Sequence, residues 1–382
     1  MRKPRILHIG KFYPPVRGGI ETALADLADA GVALGYEVRV EVAAQVRQSP
    51  TVETRGGITV TRHRTWTTLL STPITPTLVL DSPRPEDVLH LHLPQPLAEA
   101  ATLLRLAFSP ALSRKFAPYL HAVPVSQGWL GRLWFRRVTL PLLRRAKLIL
   151  VSNPSFTSFT SLFSDLKPLE PKLRILPFQA PAAPTKALGA RERKAFILAV
   201  GRLVPYKGFD VLLQAIAKIR ATTPALSAFR VLIGGQGPEY HRLGELCRHL
   251  GLFEGVEFIG DISDETKLEL MRTCSVFAAP STTTAETFGI SILEAMSQGA
   301  PVATTRLPTG VAWLARGGDC GAVATPGSAT EFATALTDLL LNEPRRDEAS
   351  NGNLNFVRQE FSQDALHRRY EKILRELDEG TE

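Results

Sequence analysis

The strongest constraint on the fold of this chain is an alternation of short apolar segments with helical segments that recurs in both halves. The segment 5–9 has the composition of a buried strand, and a Pro/Gly loop and a helical pattern over 20–34 follow it. The same order returns where a strand pattern over 195–200 precedes a loop and a helical pattern over 209–220. Strands that alternate with helices form parallel sheets covered on both faces. The sequence therefore predicts an α/β protein with two doubly wound, Rossmann-like domains, whose ligands bind beyond the carboxyl ends of the strands.

Length and composition locate the domain boundaries. A chain of 382 residues can bury two hydrophobic cores rather than one. The stretch 179–190 is rich in alanine and proline without apolar periodicity, which is typical of a linker. We therefore predict an N-terminal domain over 1–180, a linker over 181–194 and a C-terminal domain over 195–345. Residues 346–382 are predicted to form C-terminal helices that pack back on the N-terminal domain.

Cysteine usage and hydropathy indicate the compartment. Cys247, Cys274 and Cys320 are odd in number and lack C-x-x-C spacing, so we expect free thiols in a reducing compartment. The apolar run near residue 1 is too short for a signal peptide. No stretch approaches the ~18 uncharged apolar residues of a membrane-spanning helix. We expect a cytoplasmic protein, including one that is peripheral at the inner face of the cytoplasmic membrane.

Positive charge is concentrated in the first half. The formal net charge is +8, but residues 1–180 carry 23 Lys and Arg against 12 Asp and Glu, while the remainder carries 22 against 25. From Trp129 to Lys147 the chain has six basic residues and three aromatic ones, with no acid. This composition favours an anionic membrane surface, contacted from Arg132 to Lys147, and a solvated helix face is the alternative. We find no RNA-binding, zinc-finger or helix-turn-helix pattern and expect no nucleic-acid partner.

Two glutamates eight residues apart mark the first candidate site. They are Glu286 and Glu294, with Phe288, Gly289 and Ile290 between them. A helix turns ~100° per residue, so positions eight apart on one helix would diverge by about 80°. Glu286 is therefore expected on a loop and Glu294 one turn inside the helix that follows. The amides between them would lie at a helix N-terminus, which attracts anions. This suits a sugar nucleotide, whose diphosphate lies between hydroxyl groups, and two exposed glutamates around a capping loop are the alternative.

Two cations upstream mark the second candidate site. Arg202 and Lys207 lie in the loop between a predicted strand and a helix that opens at Gly208. Both would point into the expected cleft between the two domains, where such cations stabilise negative charge developing on a leaving diphosphate. No Asp-x-Asp stands at the strand ends where a metal ion would be held, so we expect these cations to replace Mg²⁺ and predict no metal and no cofactor. Two ordinary charges on a solvated loop are the alternative.

Both sites carry a family resemblance. The segment E-T-F-G-I-S-I-L-E resembles the E-x7-E motif of GT-B glycosyltransferases, and G-R-L-V-P-Y-K-G resembles the G-R-x4-K-G loop of the retaining GT4 group. The segments I-L-H-I-G-K-F-Y-P-P-V-R-G-G-I-E, V-L-I-G-G-Q-G-P and F-I-G-D-I-S are also similar to that group. Through T-R-L-P-T-G-V the chain resembles the bacterial polysaccharide and O-antigen mannosyltransferases in particular. The resemblance runs nearly end to end and implies a GT-B fold, in which the two parallel sheets face each other across a cleft.

The resemblance also implies roles for individual residues. Arg202 and Lys207 would hold the donor diphosphate, Glu286 would contact hydroxyls of the donor sugar, and Glu294 would contact the ribose. His121 aligns with a histidine that lies by the donor sugar and whose backbone carbonyl assists the developing oxocarbenium ion. The residues that follow it, Ala122 and Val123, stand where relatives have polar residues. Loops that approach the donor would contribute Gly18, Gly19, Gly235, Ile262, Phe288, Gly289 and Ile290.

The expected activity combines these roles. The resemblance implies a retaining, metal-independent glycosyltransferase that moves a hexose, with mannose from GDP-mannose as first choice, onto a glycan or polyprenyl-linked acceptor in polysaccharide biosynthesis. The C-terminal domain would bind the sugar nucleotide and the N-terminal domain the acceptor. Alternatives are a UDP-sugar donor or a soluble acceptor, a nucleotide-sugar 2-epimerase, and a non-catalytic partner in polysaccharide assembly. The last would typically have lost part of the Arg202, Lys207, Glu286 and Glu294 set, which is intact here. His8, His90 and His92 fit buried strand positions and receive no role.

Overall fold

The computed structural model divides the chain into two compact units. It describes residues 5–16, 18–46, 48–69, 72–79, 83–122, 128–156 and 165–379. The first unit comprises Met1–Gln179 together with Gln363–Glu382, and the second comprises Ala180–Ser362. Each unit is built on its own sheet, so the prediction of two α/β domains is confirmed.

The first unit contains an eight-stranded sheet in the order β10-β9-β8-β7-β1-β2-β4-β3. All its neighbouring strands are parallel except β3 and β4 at one edge. A separate antiparallel pair, β5 and β6, lies in the same unit. The strands are β1 (Arg5–Ile9), β2 (Glu37–Ala43), β3 (Thr51–Arg55), β4 (Ile58–His63), β5 (Thr67–Leu69), β6 (Thr72–Ile74), β7 (Val88–Leu93), β8 (Tyr119–Leu120), β9 (Ile149–Val151) and β10 (Leu173–Ile175).

The central strands of this sheet are buried on both faces. Strand β7 reads V-L-H-L-H-L and every one of its residues is buried. Its leucines pack into one core while Val88 packs into another, which includes Tyr370 near the end of the chain. Because side chains alternate between the two faces of a strand, the histidines of β7 lie on the second face. Neutral imidazole is tolerated there, whereas a charged side chain would be costly.

Helices cover both faces of this sheet. They are α1 (Gly19–Ala33), α2 (Pro96–Phe108), α3 (Gly128–Trp134), α4 (Leu140–Arg145) and α12 (Gln363–Asp378), with a π-helical turn over Phe135–Thr139 between α3 and α4. The chain-terminal helix α12 repeats buried apolar residues at helical spacing, including Leu366, Tyr370 and Leu377. These residues join the core beneath α1 and β1, so the end of the chain returns to the first unit.

The segment from Trp129 to Lys147 forms the helical stretch that ends with α4. Phe135, Leu142 and Leu143 are buried in the core of the first unit. Trp129 is 73% exposed, and Leu130 is 59% exposed. The basic side chains of this stretch that are exposed are those of Arg132, Arg136, Arg137, Arg144 and Arg145.

The second unit contains a six-stranded sheet in the order β13-β12-β11-β14-β15-β16, in which all neighbours are parallel. Its strands are β11 (Lys194–Val200), β12 (Arg230–Gly234), β13 (Val256–Gly260), β14 (Cys274–Ala279), β15 (Val302–Thr305) and β16 (Gly321–Ala324). Its helices are α5 (Phe209–Thr222), α6 (Tyr240–His249), α7 (Asp264–Thr273), α8 (Ile290–Ser297), α9 (Gly310–Ala315), α10 (Ala329–Leu341) and α11 (Glu343–Glu360).

The limits of the two units differ in detail from the predicted domains. The predicted linker 181–194 belongs to the second unit, because Ala190 donates to Asp347 at 2.6 Å and the Arg193 guanidinium donates to three backbone carbonyls of that unit. The predicted boundary at residue 345 falls inside α11, which buries Leu354 and Val357 and remains in the second unit. Of the predicted C-terminal helices, only α12 belongs to the first unit.

In the part of the chain that the structure describes, no helix is both long enough and apolar enough to cross a membrane. The three cysteines are buried and unbonded to one another, as their spacing predicted.

Candidate active site

Three loops of the second unit meet at the carboxyl ends of β11, β12 and β13. Gly201 donates its amide to Gly234 at 3.0 Å, and Gly235 donates to Gly260 at 2.7 Å. Gly235 has a positive φ of 128°, and a Cβ added to it would lie 2.0 Å from the carbonyl oxygen of Gly201. Only glycine can lie so close to the backbone of the neighbouring loop, so the first role of Gly235 is to allow the loops to pack together. Ile262 follows directly after the third loop and its side chain is partly exposed.

Lys207 is positioned by the turn that opens α5. Residues Pro205–Lys207 form a 3-10 turn, and Gly208 follows in the left-handed region at φ 69°. A Cβ on Gly208 would lie 2.1 Å from the carbonyl oxygen of Pro280, so glycine allows this turn to approach the loop after β14. That approach brings Lys207 to the carboxylate loop, whereas Arg202 remains exposed on the loop after β11.

Lys207 and Glu286 form a buried ion pair. The Nζ atom of Lys207 lies 2.5 Å from Oε2 of Glu286, and their side chains are 16% and 10% exposed. Ser281 donates its hydroxyl to the same oxygen at 2.9 Å. The two motifs that the sequence separates by 79 positions are therefore in direct contact. Because one oxygen of Glu286 receives both donors, the other can accept from a ligand hydroxyl.

The helix that carries Glu294 begins after a glycine turn. Gly289 caps α8 with φ 91°, and its carbonyl accepts from Ile292 at 2.9 Å and from Leu293 at 3.0 Å. The amides of Ile290 and Ser291 come before the first hydrogen-bonded amides of α8 and lie at its N-terminus, as predicted. Phe288 is 2% exposed and packs edge-on to other aromatic rings of the second unit. Its side chain is thus a core residue, and only its backbone is available to a ligand.

Glu294 has a lysine partner that the sequence analysis missed. Nζ of Lys267 lies 2.6 Å from Oε1 of Glu294 and 3.0 Å from Oδ1 of Asp264. Burial raises the pKa of Glu294 above its ordinary value, and the ion pair with Lys267 opposes that rise. For Lys267, burial works to lower the pKa, but the two carboxylates raise it on balance. No motif marks Lys267, because it comes from α7, a different helix whose exposed face is rich in charge.

The first unit holds the remaining predicted residues at the carboxyl ends of its own strands. Gly18 caps α1 in an extended conformation, Gly19 begins the helix, and Thr22 donates to the Gly18 carbonyl at 3.0 Å. A Cβ on Gly18 would lie 2.1 Å from an oxygen of Glu21. Burial raises the pKa of this glutamate, while Lys11 opposes the shift. The sequence analysis assigned no role to Glu21, which lies beside Gly18, or to Lys11, which interacts electrostatically with Glu21.

His121 lies at the end of β8 and is 4% exposed. Its ring stacks on Tyr119 with centroids 3.9 Å apart, and its Nε2 lies 3.0 Å from Nδ1 of His92. Burial lowers the pKa of His121 to about 3, so the ring is neutral. The series of ring contacts extends into the sheet, because Nδ1 of His8 lies 3.3 Å from Nε2 of His92. Residues 123–127, which come soon after it, lie outside the described residues.

The structure therefore brings the predicted residues together in two groups. Lys207, Glu286 and Glu294 gather at the carboxyl edge of the second sheet, with the glycine loop of Gly235 on the same edge. Gly18, Gly19 and His121 belong to the first unit. Within the described ranges, no three His, Cys, Asp or Glu side chains form a group that could hold a metal ion.

The fold and the charged edge together define a class of protein. Two parallel α/β units occur in the GT-B glycosyltransferases, and the chain shares its fold with sucrose-phosphate synthase from Thermosynechococcus elongatus. That structure matches with a TM-score of 0.80 at 19% identity, over 99% of this chain and 100% of the other.

Sequence comparisons identify the family. Residues 184–355 match the family described as glycosyl transferases group 1, so the chain carries a group 1 domain and is a glycosyltransferase. It is 26% identical to D-rhamnosyltransferase WbpZ of Pseudomonas aeruginosa, over 91% of this chain and 90% of that protein. It is also 26% identical to O-antigen chain mannosyltransferase C of Escherichia coli, over 95% of each.

Proposed function

We propose that this chain is a retaining, metal-independent hexosyltransferase that moves mannose from GDP-mannose onto a glycan or lipid-linked glycan in polysaccharide biosynthesis. The observation that carries the proposal is the buried Lys207–Glu286 pair beside the N-terminus of α8, with Glu294 inside that helix. The relatives add support for the sugar, because they are named for mannose and for D-rhamnose, which is 6-deoxymannose. The name of the mannosyltransferase also concerns an O-antigen chain, which is a polysaccharide.

In the proposed donor site, the anionic diphosphate lies between two hydroxyl-bearing groups of the ligand, the donor sugar and the ribose. Arg202 and Lys207 would contact the diphosphate together with the amides at the start of α8, where the helix dipole favours negative charge. Glu286 would accept from hydroxyls of the donor sugar and Glu294 from those of the ribose, since a carboxylate can accept from neighbouring hydroxyls. Lys267 holds one oxygen of Glu294 and leaves the other for the ribose.

The proposed reaction proceeds on one face of the sugar. The bond from the anomeric carbon to the diphosphate oxygen breaks, and both its electrons leave with the nucleoside diphosphate. The acceptor hydroxyl oxygen then bonds to that carbon on the same face, so the configuration is retained, and its proton passes to the departing diphosphate. In this scheme Arg202 and Lys207 stabilise the growing negative charge, which is the role that a metal ion would otherwise have.

The first unit is the proposed site of the acceptor. Its glycine pair at the start of α1 would allow close approach of the donor to the backbone, and the neutral ring of His121 suits an uncharged sugar. The exposed Trp129 and Leu130 stand beside exposed arginines of the same helical stretch, which favours docking on anionic lipid. Such docking would bring the acceptor side to a lipid-linked substrate at the inner face of the membrane.

A panel of sugar nucleotides tests the donor assignment. A ligand at 100 times its Kd adds about 2.7 kcal/mol of stability, so GDP-mannose should raise the unfolding temperature more than UDP-glucose or UDP-N-acetylglucosamine. The Lys207→Ala variant provides the control, since its response to every donor should be reduced. If only UDP-sugars raised the unfolding temperature, the donor would be a UDP-sugar and the assignment to GDP-mannose would be wrong.

Product analysis tests the reaction itself. With GDP-mannose and a mannose-containing acceptor, the one-bond carbon–proton coupling at the new anomeric centre should show the donor's α configuration. Turnover should be unchanged by a chelator. Formation of a β-linked product would contradict retention, and loss of turnover that is restored by Mg²⁺ would contradict metal independence. Donor epimerisation without an acceptor would instead identify an epimerase.

A further inference from the structure

Three buried imidazoles of the first unit form a continuous hydrogen-bonded series. Nδ1 of His8 on β1 lies 3.3 Å from Nε2 of His92 on β7, and Nδ1 of His92 lies 3.0 Å from Nε2 of His121. All three residues are at most 4% exposed. The end atoms, Nε2 of His8 and Nδ1 of His121, are buried and have no hydrogen-bond partner among the described residues. The series therefore runs from the middle of the sheet to the end of β8.

The number of protons in this series is fixed by burial. A neutral imidazole carries one N–H, so it donates at one nitrogen and accepts at the other. Burial lowers the pKa of His8, His92 and His121, and all three rings are therefore neutral near pH 7. Three neutral rings in series have two self-consistent arrangements. Either every proton points toward His121, whose Nδ1 is then protonated, or every proton points toward His8, and Nδ1 of His121 is bare.

A fourth histidine favours the second arrangement. His90 is the register partner of His8, and the two ring centroids are 5.1 Å apart. Nδ1 of His90 lies 2.6 Å from the carbonyl oxygen of Ala117. A carbonyl can only accept, so Nδ1 carries the proton of His90 and its Nε2 is bare. If Nε2 of His8 carries a proton, that proton is attracted by the bare Nε2 of His90. If Nε2 of His8 is bare, two acceptors without a donor lie in the same buried interior.

We infer that His8 and His92 are positioning residues that fix the tautomer of His121, with its proton on Nε2 and its Nδ1 bare. The bare Nδ1 of His121 is then a buried hydrogen-bond acceptor of fixed direction at the carboxyl edge of the first sheet. The tautomer is a property of the first unit alone. Only its effect on turnover rests on the proposed function.

Nitrogen-15 spectra of the full chain test the tautomer directly, since the chemical shift of a ring nitrogen distinguishes a protonated from a bare atom. In the unmodified protein, His121 should show a protonated Nε2 and a bare Nδ1. The opposite assignment would overturn the inferred arrangement. In His92→Phe the partner of His121 is lost, and its two nitrogens should average toward a mixture. An unchanged His121 signature in His92→Phe would overturn the coupling.

Turnover and a conservative variant separate positioning from a general loss of structure. Hydrogen-bond partners that orient a metal-bound histidine typically contribute about 10–100-fold, and we expect a loss of similar size here, so His92→Phe should lower kcat by roughly tenfold or more. His92→Asn keeps an oxygen near the position of Nδ1, so it should restore both the His121 signature and most of the turnover. Tyr119→Phe loses a buried bond to Leu176 while keeping the ring beside His121, and serves as the control.

The outcomes distinguish this inference from the proposed function. Equal losses of turnover in His92→Phe, His92→Asn and Tyr119→Phe would indicate a structural role and overturn the inference. If the chain transfers no sugar at all, the proposed function fails, while the nitrogen-15 signatures still decide the tautomer of His121.

Discussion

The carboxyl edges of the two sheets handle buried polar groups in opposite ways. In the second unit the site keeps its charges and pairs them, Lys207 with Glu286 and Lys267 with Glu294. In the first unit the comparable edge ends in His121, which burial keeps neutral. The rings that lead to it through the sheet, those of His8 and His92, are neutral for the same reason.

This difference agrees with the ligand proposed for each edge. Removing a charge from water is costly unless a partner or several hydrogen bonds compensate it. Preformed ion pairs meet that cost in the second unit and leave cations available for an anionic ligand. Neutral imidazoles avoid the cost and suit a ligand that carries only hydroxyl groups. The comparison thus favours a nucleoside diphosphate on the second unit and a glycan on the first.

The largest expected effect comes from removing a cation of the second unit. Lys207→Ala and Arg202→Ala should each lower turnover by about 100-fold or more, the loss expected for one electrostatic stabiliser of a transition state. Steady-state kinetics with saturating donor measures it. Arg230→Ala is the control, because Arg230 pairs with Glu257 on the exposed surface of the same unit. Turnover close to that of the unmodified enzyme in either site variant would contradict the proposal that Arg202 and Lys207 contact the donor diphosphate.

The exposed arginines of the first unit should matter for membranes rather than for nucleotide. Each basic residue near an anionic leaflet contributes about 1 kcal/mol, within a Debye length of ~8 Å at physiological salt. Replacing Arg136, Arg137, Arg144 and Arg145 with Gln should therefore weaken cosedimentation with anionic vesicles by at least roughly tenfold. Nucleoside diphosphate affinity, measured by calorimetry, should be unaffected.

Salt and lipid composition provide the controls for this prediction. Binding of the unmodified protein should decrease as salt increases and should be weak on vesicles of neutral lipid. Absence of cosedimentation with anionic vesicles at low salt would identify the segment as a solvated helix face, and a soluble acceptor would then be favoured.

The two glutamates of the second unit should divide binding from turnover. Glu294→Gln should weaken nucleoside diphosphate binding by roughly tenfold, because a hydrogen bond to a charged group is typically worth ~1.5–3 kcal/mol. Glu286→Gln should leave that affinity nearly unchanged and lower kcat, because this carboxylate is assigned to the sugar, which the free diphosphate lacks. Calorimetry and kinetics on both variants measure the division. Equal losses of nucleotide affinity would contradict it.

The smallest expected effect is a shift in pH dependence. Burial raises the pKa of Glu294 and Lys267 opposes the rise, so Lys267→Met should raise that pKa further. The charged carboxylate accepts more strongly from ribose hydroxyls than the neutral acid does, and the charged form is lost as the pH falls through the pKa. Nucleoside diphosphate affinity should therefore begin to decline at a higher pH in Lys267→Met than in the unmodified protein. Lys267→Arg keeps the ion pair and should behave normally. Identical acid limits in both variants would show that Lys267 does not control Glu294.

Most regular elements could be predicted from local sequence. Strand β1 coincides with the predicted segment 5–9, and α5 begins at Phe209 directly after Gly208, as the pattern indicated. The loop position of Glu286 and the helical position of Glu294 followed from their spacing. The strands between residues 51 and 74 are harder to infer from local sequence. Their pairing partners, rather than their own composition, make them strands, as in the exposed edge strand β3.

The sequence by itself determined the class of fold, the acidic and basic motifs and the residue types of the candidate site, because periodicity, glycine and charge act over a few neighbouring positions. Tertiary structure alone decided that Lys267 pairs with Glu294, that Phe288 turns into the core, and that α12 returns to the first unit. It also joined His8, His92 and His121 into one series. These outcomes depend on distances between residues that lie far apart along the chain, and only packing of the whole chain sets those distances.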